Sequence, residues 1–180
     1  MVNAGIGGNQ VVGPAEYPPP LPFPGGPSAR ERLERDVLTL SGVAAVVWLE
    51  GINDFSENGK ATVAAVEAGM RDIVGRIRAR FKGVRIIGAT LTSALGSTNP
   101  NHGSSEEDAK RKALNQFIRS GGLFDGVADF DAATLDPTTG QLRPEFVPES
   151  TTGGPGDKIH PNRVGYLAMA MAIDLDLLIR

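Results

Sequence analysis

The chain has 180 residues, 41% hydrophobic and 22% charged, with a net charge of −3. That suits one soluble globular domain with a substantial core and gives no electrostatic reason to expect a nucleic-acid partner. Cysteine is absent, which excludes disulfides, a thiolate nucleophile and Cys-ligated zinc, and no apolar run approaches a membrane span.

The N-terminus lacks the basic-then-apolar pattern of a signal peptide, and the compartment stays open. The chain begins with a Gly-rich stretch, Asn3 to Asn9. Residues 13–28 are Pro-rich, which forbids helix and central strand and predicts an extended surface loop. Ser28 followed by Glu31 is a capping-box pattern, with Leu33, Val37 and Leu40 at helical spacing behind it. Val43–Glu50 is a short, nearly all-apolar run that predicts a strand buried on both faces, with Trp48 in the core. Val63, Val66, Met70, Ile73, Ile77 and Phe81 form one helical stripe. Val84–Leu91 is a second buried-type strand. The segment SSEEDAKRKALNQFIRS reads as a helix whose early acids and later bases suit the helix dipole. Gly126–Phe130 is a third strand. A last helix follows Pro161, with its Ala-Met-Ala-Met-Ala run (Ala168–Ala172) assigned to the core. Strands alternating with helices indicate a parallel, doubly wound α/β sheet over residues 1–180, with its chemistry at the carboxyl ends of the strands.

Three motifs fall at such ends. The glycines of the first loop let a ligand approach the backbone, where N–H groups can hold an anion or oxyanion. The spacing fits neither a dinucleotide fingerprint nor a P-loop. In Glu50–Phe55, Asn53 and Asp54 stand where a strand meets solvent. Read alone they make an Asx-turn, although the Asn53 amide can also donate to a developing oxyanion. In Asp157-Lys158-Ile159-His160, a carboxylate three residues before an imidazole can fix its tautomer and leave the second nitrogen as an acceptor. Pro161 suits the first turn of the following helix and Asn162 its cap. The plain alternative is a histidine that merely precedes the cap. His102 sits in a turn-rich loop and reads as solvent-facing. Two histidines far apart, without a second acidic cluster, make a metal site improbable.

Taken together and in this order, the Gly-rich loop, GINDF and DKIHPN resemble the blocks of the SGNH hydrolases, the GDSL-type esterases and lipases. The resemblance runs over nearly the whole chain and includes GVADFDAATLDP. It implies a flavodoxin-like, three-layer α/β/α fold, no cofactor, and an acyl-ester, carbohydrate-ester or lipid substrate. By position it implies His160 as general base, Asp157 as its orienter, and Gly8 and Asn53 as oxyanion-hole donors. The family's Gly-Asp-Ser block, which carries the nucleophile on a central first strand, is missing, so the nucleophile is unassigned. Of the second strand only a stub at Met1–Asn3 is expected. A sheet without its central strand exposes an edge for self-association. The alternative function is a pseudoenzyme or binding module that keeps the pocket.

Overall fold

The computed structural model describes residues 1–13 and 25–179. Most of the Pro-rich loop expected at 13–28 therefore lies outside the described residues.

Three parallel strands form one sheet in the order β1 (Ala45–Trp48), β2 (Arg85–Ala89), β3 (Gly126–Ala128). Ala45 pairs with Arg85 and Trp48 with Gly88, while Ile87 pairs with Gly126. All three predicted strands are present, each shorter than its predicted run, but β1 is not buried on both faces as expected: Val47 is 41% exposed, because β1 lies at the sheet edge. The expected stub at Met1–Asn3 is not a strand. Those residues are exposed and unpaired in the sheet, and among the described residues no strand lies along the edge of β1 away from β2.

The helices are α1 (Ala29–Leu33, continuing as a π-helical turn, Glu34–Leu38), α2 (Val63–Arg80), α3 (Ser105–Ser120), α4 (Phe130–Thr134), α5 (Arg163–Met171) and α6 (Asp176–Ile179). Local chemistry starts them where expected. Ser28, Thr62 and Ser104 each accept a backbone N–H of the first turn with a side-chain oxygen. Successive β2 residues point to opposite faces. Ile86 packs in a core with Leu33, Val66, Met70, Ile73, Ile77 and Leu114 from α1, α2 and α3. Ile87 packs in a second core with Phe130 of α4 and Met169 of α5, flanked by Leu177 of α6. The sheet is therefore covered on both faces, which is the three-layer arrangement.

The C-terminal expectation needs correcting. The last helix is two, and of the Ala168–Ala172 run only Met169 is buried, while Met171 is 78% exposed. An alternation of two cannot keep both methionines on one face of a helix of period 3.6. Pro161 also precedes the Asn162 cap instead of occupying the first turn.

Buried polar groups fix the strand ends. The Asn115 amide accepts from Leu91 N and donates to Leu91 O, extending the hydrogen bonding beyond β2. The fully buried Arg111 guanidinium joins Asp108, Leu91 O and Asp131. Asp54, expected near solvent, is fully buried. Its carboxylate accepts from Val11 N at 2.8 Å and Val12 N at 2.9 Å, which clamps the N-terminal loop to the segment after β1. Burial is the larger effect on its acidity and pushes its carboxyl up to about 6 against the pull of those N–H donors. Nearby, Arg32 donates to Asn9 Oδ1 and to Ala4 O, and its guanidinium lies 3.8 Å from Glu50. Burial pushes the Glu50 carboxyl up to about 7; Arg32 opposes this and Asp54 adds to it.

Two predictions follow from these buried acids. Asp54→Ala leaves two N–H donors without their acceptor, and urea titration should show a loss of about 2 kcal/mol or more. Glu50 in the unfolded chain ionises near the ordinary glutamate value of 4.5, while the folded chain keeps that proton to about 7. Between those values the native state binds more protons, so stability falls as pH rises. Melting curves from pH 5 to 8 should decline by a few °C in the parent and less in Glu50→Gln; identical slopes would refute the assignment.

Candidate active site

The carboxyl ends of β1 and β2, the N-terminal loop and the segment before α5 surround one cavity of about 1180 Å³. Gly8, Asn53 and His160 all line it, so topology gathers residues that are far apart in sequence.

The Asp157–His160 turn is compact because Lys158 takes a left-handed conformation, φ 63°. One Asp157 oxygen accepts from the backbone N–H of Ile159 and of His160, at 3.0 and 2.9 Å. The other meets His160 Nδ1 at 2.6 Å. A carboxylate acceptor makes Nδ1 the protonated nitrogen and leaves Nε2 as the free position of a neutral ring. The His160 side chain is 49% exposed and that of Asp157 14%. Partial burial opposes charge on Asp157, but the His160 backbone N–H, the His160 ring and the Ile159 N–H outweigh it and hold the carboxyl below its usual value. The imidazole thus faces a carboxyl group that gives up its proton more readily than usual.

Gly8 has φ +79°, which an L side chain rarely adopts, and its N–H has no hydrogen-bond partner among the described residues. Asn53 follows Gly51, whose φ is +134° and where an added Cβ would meet the Leu114 side chain at 3.0 Å. The Asn53 amide donates to Asn9 O at 3.1 Å. One N–H of that amide therefore holds the N-terminal loop, and the second remains for a ligand.

Among the described residues no serine hydroxyl is hydrogen-bonded to His160. Ser56, which also lines the cavity, donates to Asn53 O and accepts from Gly59 N, and so closes its own turn.

His102 departs from expectation. Its side chain is only 7% exposed, it lines the cavity, and its Nδ1 lies 2.5 Å from Glu107 Oε1. Glu107 was hidden among acids that the helix dipole already explained. The Ser104-to-Glu107 spacing of a capping box was the available signal. Asp54 and Arg32 were likewise missed as the braces of the site.

A second groove, about 820 Å³, runs along β1 between residues 1–5, α1 and Leu178. It borders the strand edge that pairs with nothing among the described residues. Val47 and Leu49 are 41% and 46% exposed there.

Known proteins set this geometry in context. A GDSL-like lipase from Bacteroides thetaiotaomicron superposes with a TM-score of 0.67 at 19% identity, covering 82% of this chain and 68% of the other. The native aryl esterase of M. smegmatis gives 0.65 at 14%, covering 96% and 75%. A carbohydrate esterase of family 3 from Talaromyces cellulolyticus gives 0.57 at 18%, covering 86% and 70%. These likenesses establish the shared fold; the chain spans about two thirds to three quarters of the length of these structures. No curated protein sequence matches. The model of the GDSL-like lipase/acylhydrolase family matches residues 1–168, and the chain belongs to that family.

Proposed function

We propose that this chain carries the acid–base and oxyanion-binding half of an ester hydrolase of the serine type, acting on a small-molecule acyl ester. The observation that carries this reading is the His160 ring, oriented by Asp157 and lining the same cavity as the Gly8 loop and the Asn53 amide.

In this reading the ester carbonyl oxygen points between Gly8 N–H and the free N–H of Asn53. His160 Nε2 takes the proton of an attacking hydroxyl as its oxygen bonds to the carbonyl carbon. The negative charge on the carbonyl oxygen is met by the two donors, which cost no reorganisation because the loop clamps already hold them. The tetrahedral centre collapses, the C–O bond to the alcohol breaks, and the imidazolium returns its proton to the departing alkoxide; water, deprotonated by the same ring, then attacks the acyl group left on the hydroxyl oxygen and releases the acid. Asp157 keeps the ring in the correct tautomer throughout. No metal or organic cofactor enters the scheme.

The nucleophilic hydroxyl is the unassigned part. None of the chain's serines stands in a Gly-Asp-Ser context, and among the described residues none is bonded to His160. That observation favours a second reading, a pocket that binds esters without cleaving them. One assay separates the two: hydrolysis of p-nitrophenyl acetate by the purified chain, with fluorophosphonate labelling. A labelled serine and turnover lost in His160→Ala support the hydrolase, and Asn53→Ala should then cost about 10²–10³ in turnover. Neither label nor turnover supports the binding module. Turnover undiminished in His160→Ala sinks the site assignment.

The unpaired β1 edge is proposed to pair with a second copy, since an open strand edge templates association. Light scattering after gel filtration should give the mass of two chains for the parent and one for Val47→Lys; a monomeric parent overturns the pairing.

A further inference from the structure

The cavity holds a second histidine–carboxylate pair that the proposed chemistry does not use. Glu107 is 4% exposed. Its Oε1 meets His102 Nδ1 at 2.5 Å and its Oε2 accepts Gly103 N–H at 2.7 Å. With both oxygens engaged as acceptors, Glu107 makes His102 Nδ1 a donor and leaves Nε2 without a hydrogen-bond partner among the described residues. A capping box would send the glutamate back to the N–H of its own cap residue. Here Glu107 reaches past Ser104 to the Gly103 N–H and the imidazole, so the ring is placed as well as the helix start.

The loop that carries His102 is braced to both functional segments. Ser97 Oγ and Thr98 N donate to Asp157 O at 2.8 and 3.1 Å. Asn101 O accepts Glu57 N–H at 3.0 Å, on the segment that follows Asn53. The loop therefore stands at a fixed position relative to the His160 turn and the Asn53 turn. Asn58, Asn101 and His102 all line the cavity. The side-chain amides of Asn58 and Asn101 have no hydrogen-bond partner among the described residues.

We infer that His102, held by Glu107, forms with Asn58 and Asn101 a subsite for the hydroxyl-bearing part of the ester, so that the preferred substrate is an acylated sugar or polyol. This rests on the ester-binding reading of the cavity. An alkyl chain laid on this wall would strip water from two amides and an imidazole without replacing their hydrogen bonds. A polyol replaces them, because each hydroxyl both donates and accepts, as the amides do. A site built to bond hydroxyls rejects an analogue that lacks them far more strongly than an apolar pocket separates chain lengths. His102 is thus a specificity-determining residue, and no bond is made or broken at it.

The chain's two histidines make the test direct. Protein labelled with ¹⁵N-histidine is titrated with methyl 6-O-acetyl-glucopyranoside and, separately, with butyl acetate, while both imidazole spin systems are followed. The expected result is that both rings shift with the sugar ester and only His160 shifts with butyl acetate. His102→Gln should weaken the sugar ester about tenfold, a difference of one decade in Kd, and leave butyl acetate unchanged. Should His102→Gln fail to fold, Asn101→Ala, whose side chain holds nothing in place, should weaken the same ligand several-fold. If His160 responds to both esters while His102 stays silent, the subsite is overturned and the ester pocket stands. If neither ring responds to either ester, the pocket reading falls and the subsite with it.

Discussion

The site depends on one buried contact, the Asp54 carboxylate on the backbone N–H groups of Val11 and Val12. A carboxylate is costly to bury unless its lone pairs are met, and this one is met by a segment more than forty residues away. The N-terminal loop has no strand to hold it, so its place is set from outside. Asp54, the Asn53 amide on Asn9 O, and Arg32 on Asn9 and Ala4 do that work together. Gly8 lines the cavity in a loop whose neighbours are fixed by charge and amide groups.

Much of the fold was legible in the sequence, and for a physical reason. Strand β2 appears as an apolar run because helices cover both faces of the sheet there; β1 is as apolar in sequence although Val47 stands exposed beside its open edge. The helices appear through the cap at Ser28, the early acids of α3 and the stripe from Val66 to Ile77. The Asp157–His160 pair was legible because its partners lie within one turn. What stayed hidden is of two kinds. Asp54 is joined to Val11 and Val12 across a separation that leaves no local pattern. His102 and Glu107 are near neighbours, but the glutamate sits among first-turn acids that helix electrostatics already accounts for. A residue with one sufficient explanation hides its second role.

The Ala-Met run shows the reverse error. Composition marks it as apolar, and the structure turns Met171 outward beside Val164 and Leu167, all well exposed. Hydrophobicity reports what a helix can bury. What it does bury is decided by the sheet beneath it, and here only Met169 and the partly buried Ala172 reach that layer.

Asp157 serves the site through two separate groups. Its carboxylate sets the imidazole, while its backbone carbonyl accepts from Ser97 and Thr98 and anchors the neighbouring loop. The second role belongs to every amino acid alike. Losing the acid side chain would therefore release the ring and loosen the His160 turn, whose N–H groups it also accepts, yet leave the Ser97–Thr98 anchor in place. One wall of the chamber is held by an atom that selection on the chemistry does not touch.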